Sequence, residues 1–110
     1  MSLATIDSRT DYELVIAGQT TQTIGAVGAK GNILQRVIII PTSVSPGVVA
    51  IKDGAATAFN IFDGGANSLL ELKPIVVELG AKSVSGAWQI TTGANVRALA
   101  IGRFADGVNG

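Results

Sequence analysis

Any chemistry this chain performs would fall to its carboxylates. The sequence contains neither histidine nor cysteine. That removes the side chain that most often serves as a base near neutral pH, and with it serine–histidine and cysteine–histidine nucleophiles within one chain. It also removes disulfide frameworks and thiolate metal sites. Ser43, Ser45, Ser83 and Ser85 fall in polar stretches, and none lies in a G-x-S-x-G elbow. The acids that remain are Asp53, Asp63, Glu71 and Glu78, with Asp7, Asp11, Glu13 and Asp106 nearer the termini. A facing pair of such acids is the device of glycoside hydrolysis. Their positions argue for structure instead, since Asp53 and Asp63 each precede glycine, the signature of a turn. Isolated Asp-Gly pairs also lack the close-set oxygen ligands of a calcium loop. Gly25, Gly28 and Gly31 are spaced three apart, and no Gly-Lys-Ser/Thr follows them. They do not spell G-x-G-x-x-G, and they lead into a strand-like run, not into a helix whose N-terminus holds an anion. The expectation is a protein without catalytic residues, cofactor or metal.

The elements that position these residues read as strands. Tyr12–Ala17 and Asn32–Pro41 are β-rich runs, and Gln19–Thr23 between them continues extended. Val48–Lys52, Ala58–Phe62 and Pro74–Leu79 follow, with Asp53-Gly54, Asp63-Gly64-Gly65 and Gly80 as their stops. Pro41 closes its strand because it has no N–H to donate. Asn67–Lys73 has some helical flavour, but its glycine and proline flanks leave room only for a loop or a 3₁₀ turn. Ala87–Thr92 and Asn95–Phe104 read as two strands of a hairpin. Short strands at about ten-residue spacing, split by Gly, Pro, Asn and Asp, predict an all-β fold. The version expected is an antiparallel β-sandwich, jelly-roll-like, of seven to eight short strands. Residues 1–11 read as a flexible N-terminal arm, 12–104 as a single β-sandwich domain, and 105–110 as a loose C-terminal tail.

Several of these strands carry more apolar residues than one core needs. A strand with one wet face alternates apolar and polar. In Val96–Phe104, Val96, Ala98, Ala100 and Phe104 occupy one parity, while Leu99 and Ile101 occupy the other. Val37–Ile40, Val48–Ile51 and Pro74–Val77 are apolar on both parities too. Trp88, with Ile90 on its own parity, is expected in the core with Phe104. Ile38 and Ile40 are expected on a second, partnered face. Arg97 and Arg103 share parity with Leu99 and Ile101. They either snorkel to water, pair with acids such as Glu78, or meet the acids of a partner. Surplus apolar β-surface predicts obligate association, best met by a closed ring such as a trimer.

Eight basic residues balance eight acidic ones, so the basic surplus of a nucleic-acid binder is missing. No apolar run approaches the roughly eighteen residues of a membrane span, and the start MSLATIDSRTDYE lacks the layout of a secretion signal. The segments GNILQRVIIIPTSVSPGVVAIKDG and VVELGAKSVSGAWQITTGANVRALAIGRF resemble small all-β virion proteins of tailed bacteriophages, in particular capsid decoration, or cement, proteins. The likeness spans about Asp11 to Phe104 and lies in short strands, Gly/Thr/Ser turns, few charges and no Cys or His. It implies a non-enzymatic, often trimeric subunit on the capsid exterior, made in the host cytoplasm, that binds the major capsid protein and copies of itself. No catalytic motif is shared in that group, so no residue role transfers. The alternative from another class is a carbohydrate- or receptor-binding sandwich of a phage tail or cell surface, which requires exposed aromatics around a groove.

Overall fold

A computed structural model describes residues 11–25 and 31–104, and in them eight strands form two four-stranded antiparallel sheets. They are β1 (Asp11–Val15), β2 (Gln22–Thr23), β3 (Ile33–Pro41), β4 (Val49–Asp53), β5 (Phe59–Phe62), β6 (Ile75–Lys82), β7 (Trp88–Thr92) and β8 (Val96–Arg103). One sheet runs β1-β8-β3-β6 and the other β2-β7-β4-β5. The first strand therefore pairs with the last, the second with the second-last, and so on inward to the hairpin β4–β5. This is the strand order of a jelly roll, a folded-over ribbon of strand pairs.

Alternation decides which residues enter the space between the sheets. Val15, Val37, Ile39, Val96, Ala98 and Ala100 from the first sheet meet Ile24, Val49, Ile51 and Ile90 from the second, all essentially inaccessible to water. Trp88 and Phe104 join this core, and Trp88 donates its indole N–H to the Asn32 carbonyl at 3.2 Å. Ile75, Val77 and Leu79 of β6 and Ile61 and Phe62 of β5 pack against it only partly buried. The sandwich is thus drier on its β1/β2 side than at its β5/β6 side.

Four expectations need correction. Trp88–Thr92 and Val96–Arg103 do not form a hairpin: β7 and β8 lie in different sheets. The short link between them is an arch that keeps Trp88, Ile90 and Thr92 facing Val96, Ala98 and Ala100 across the core. The arch is held where Gly93 N donates to Val48 O and Gly47 N donates to Ala94 O, both at 2.8 Å. A Cβ on Gly47 would lie 2.8 Å from Gly93 Cα, so this crossing requires glycine on both chains. Second, Gly80 does not end β6. The strand runs through it, at φ +62°, to Lys82. An edge strand has one unpaired side and absorbs such a kink. Third, Asp11 belongs to β1, not to an N-terminal arm; residues 1–10 and the tail 105–110 lie outside the described residues. Fourth, Val48–Ile51 does not give the second sheet an apolar exterior, because its outer neighbours are polar, as described below. Asn67–Lys73 is irregular chain with a turn at Ala66–Asn67, not a helix.

Candidate interaction surface

The two sheets turn very different outer faces to solvent. On the β2-β7-β4-β5 sheet, Thr23 stands opposite Gln89, and Gln89 opposite Lys52. The next row sets Thr91 beside Ala50 and Ala50 beside Asn60, with the Thr21 and Thr91 hydroxyls 3.3 Å apart. That face is dressed for water.

The β1-β8-β3-β6 sheet is not. Register places Leu14 opposite Leu99, Leu99 opposite Ile38, and Ile38 opposite Val76, so one row crosses all four strands with only apolar side chains. Tyr12, opposite Ile101, extends this apolar surface on one side, and Arg97 stands beside Ile40 on the other. Tyr12 is 75% exposed and Val76 52%. At about 4.8 Å between strands and 3.4 Å per residue, the patch spans roughly 15–20 Å each way, on the order of 300–400 Å². That falls within the roughly 300–600 Å² of the largest apolar patch on a typical monomer, a patch that is often functional. Alone, the patch is about half of the roughly 800 Å² per partner of a standard interface.

The charges around the patch are one-sided. Arg36, Lys82, Arg97 and Arg103 point outward from this sheet, against Glu78 alone, leaving an excess of three positive charges on its outer face; Asp11 and Glu13 of β1 lie on the opposite parity. Arg36 pairs with Glu78, its cross-strand neighbour, at 3.2 Å. Both side chains are solvent-accessible, so the pair contributes about 0–1 kcal/mol. Glu78 thereby belongs to Arg36, not to Arg97 or Arg103 as the alternation pattern allowed. Among the described residues neither Arg97 nor Arg103 makes an ion pair.

The four residues expected on an interface are thus brought to one sheet. Ile38, Ile40 and Arg97 lie within or beside the apolar row, and Arg103 stands at the far end of β8. The residues expected inside, Trp88, Ile90 and Phe104, are buried. The sequence reading missed Tyr12, Leu14 and Ile16 as outer-face residues. Their apolar parity was visible in Tyr12–Ile16, but not the fact that β1 lies beside β8.

Most of the described acids hold structural partners. Asp53 accepts the backbone N–H groups of Val84 and Ser85. Partial burial pushes its pKa up, but the backbone hydrogen bonds from Val84, Ser85 and Gly86 together outweigh that and hold it below its ordinary value. Asp63 accepts from the Asn60 amide and Asp11 from Phe104 N. Glu13 accepts from Gln22 and from Gly25 N, pinning the end of β2 to β1. Glu71 lies 3.5 Å from Lys73. Asp7 and Asp106 lie outside the described residues, as do residues 26–30 of the glycine-spaced loop. Among the described residues no three acids gather as a metal site would need, and no helix is long and apolar enough to cross a membrane.

Compared with known proteins, the chain matches no protein-family model, no curated relative and no solved structure.

Proposed function

We propose that this chain is a non-enzymatic structural protein of a bacteriophage virion: a homo-oligomer, most simply a trimer, that docks on the capsid exterior and stabilises the shell by bridging capsomers. The carrying observation is the apolar row Leu14–Leu99–Ile38–Val76 on the outside of one sheet, beside a sister sheet whose exterior is polar. Support also comes from the fold, since jelly rolls build many virion subunits, an analogy at fold level only. The resemblance to decoration proteins points the same way. Its partners are then copies of itself and the major capsid protein, and its place is the virion surface after synthesis in the host cytoplasm.

The mechanism is mass action. A subunit that binds the expanded shell, and not the immature or dissociated one, stabilises that state by its binding free energy. Repetition by symmetry turns modest contacts into strong overall attachment. The sugar-binding reading has less behind it. Trp88 is buried, and the two exposed aromatics, Tyr12 and Phe59, stand on different sheets, so they make no shared stacking platform.

The test is co-sedimentation of the purified chain with expanded capsids of the phage that encodes it, stripped of this protein. Saturable binding that raises the shell's denaturation temperature is the expected result. Failure to bind expanded shells, or equal binding to immature ones, would refute the proposal.

A further inference from the structure

The apolar row needs a counterpart, and the chain itself carries one. The connection from β5 to β6 displays Leu70 fully exposed and Leu72 53% exposed, with an accessible Glu71 between them. The chain bends at Leu70 and Glu71, so all three side chains project from a surface knuckle. A fully exposed leucine beside a second exposed one contributes nothing to the folded monomer.

We propose that this knuckle, Leu70-Glu71-Leu72, docks on the outer face of the β1-β8-β3-β6 sheet of a second copy. Leu70 and Leu72 cover the Leu99–Ile38 row, and Glu71 meets Arg97. This inference rests on the self-associating part of the proposed function and names the contact that delivers it.

Three observations choose this occupant over a symmetric pairing of the two sheet faces. The first is charge. A face carrying Arg36, Lys82, Arg97 and Arg103 against Glu78 would oppose its own excess of cations if it met itself, and like charges brought together in an interface disfavour it. Off that sheet the described acids exceed the bases by one, Asp53, Asp63 and Glu71 against Lys52 and Lys73, and Glu71 is the acid set between two exposed leucines. The second is area. The apolar row supplies only about half of a standard contact, and two different patches per subunit let each copy use both of its surfaces. The third is polarity. The bond of Glu71 to Lys73 is a 3.5 Å contact between two well-exposed side chains, so little holds Glu71 away from a better partner. Two unlike patches on one subunit make a head-to-tail contact, which closes into a ring when its rotation allows. The proposed trimer is one such ring.

The experiment uses the full chain in sedimentation velocity across a concentration series. Four proteins are compared: wild type, L70S/L72S, R97E, and the charge exchange E71R/R97E. Wild type is expected to associate, and L70S/L72S to associate about a hundredfold more weakly or worse, with far-UV circular dichroism and melting of the isolated chain unchanged. R97E is expected to weaken association and added E71R to restore it. An associating wild type whose L70S/L72S variant keeps the same mass would overturn the inference and leave the assembly reading standing. A weakened R97E that E71R fails to rescue would overturn the Glu71–Arg97 contact. A monomeric wild type at every concentration would overturn both the inference and the self-association on which it rests.

Discussion

Gly102 is the position where one added methyl group should do most harm. It lies in β8 between β1 and β3, opposite Asp11 on one side and Leu34 on the other. On β3 the register shifts between Leu34 and Arg36, so Gln35 is an extra residue and the chain bulges toward Gly102. A Cβ built on Gly102 would lie 1.9 Å from the Ile33 carbonyl oxygen, and 3.0 Å from Gln35 N. The first distance falls 1.1 Å short of the 3.0 Å below which real Cβ contacts essentially never go. The obstacle is backbone in the middle of the main sheet, so no side-chain rotation relieves it. Overpacking alone costs about 1–3 kcal/mol, and prising β3 from β8 costs roughly another 1 kcal/mol for each ladder bond loosened. Gly102→Ala is therefore expected to lose about 3–5 kcal/mol, a large share of the roughly 5–15 kcal/mol of a domain. The assay is urea unfolding followed by far-UV circular dichroism at one fixed protein concentration, since association adds its own stability. With a slope of about 2 kcal/mol per molar urea, the middle of the usual range, the midpoint should fall by roughly 1.5–2.5 M. Gly80→Ala is the control. Its φ is +62° and nothing lies within 4 Å of its Cβ, so only the left-handed backbone matters, at about 1–2 kcal/mol. A Gly102→Ala midpoint equal to or above that of Gly80→Ala would refute the steric account of the bulge.

Three further outcomes follow from the same geometry. Asp53 has a folded pKa below its ordinary 3.8, so its hydrogen bonds stabilise the fold above that pH and the contribution is lost as pH falls below it. The melting-temperature gap between wild type and Asp53→Asn should therefore close on acidification from about pH 5 to pH 2; a constant gap would contradict it. Trp88→Phe removes the indole N–H from the Asn32 carbonyl, which still accepts from Ser83 N at 2.8 Å. No acceptor is orphaned, so the loss should be about 2–3 kcal/mol, one hydrogen bond plus a modest cavity, and calorimetry showing more than about 5 kcal/mol would refute this. Leu14→Ser with Val76→Ser should change the unfolding of the dilute monomer by only about 1 kcal/mol, because both lie on edge strands, face outward and are about half exposed. The same pair should abolish association in light scattering, and unchanged mass would count against the outer face as an interface.

Much of the fold was written in the alternation of single strands. Val96, Ala98 and Ala100 against Leu99 and Ile101 announced two apolar faces, and Trp88 with Ile90 announced the core. Strand partners were not legible. A hairpin and an arch have the same sequence rhythm, and differ only in whether the two inner faces look the same way or at each other. Gly93-Ala94-Asn95, with Asn95 at φ +63°, suits either. Gly80 reads as a stop because glycine weakens strands, but only a central strand would have to stop there. The partner of Glu78 depended on the bulge at Gln35, which sets Arg36 directly across from it. Leu70 and Leu72 looked like ordinary loop leucines, since a sequence shows apolar character but not whether a sheet lies near enough to cover it.

The functional reading turns on a comparison inside one molecule. β-Sheets favour branched and aromatic residues whatever they face, so an apolar outer face could reflect strand propensity alone. The sister sheet answers that objection. Its outer rows satisfy the same propensity with threonine, at Thr23 and Thr91, beside Gln89 and Lys52. Threonine is as good a strand former as leucine and far better solvated. The same chain, under the same folding constraints, therefore builds one exterior from Thr and Gln and the other from Leu14, Leu99, Ile38 and Val76. Folding into a sandwich demands neither choice. On the assembly proposed above, what separates the two exteriors is their neighbour: water for one sheet, and for the other an apolar surface that carries acid.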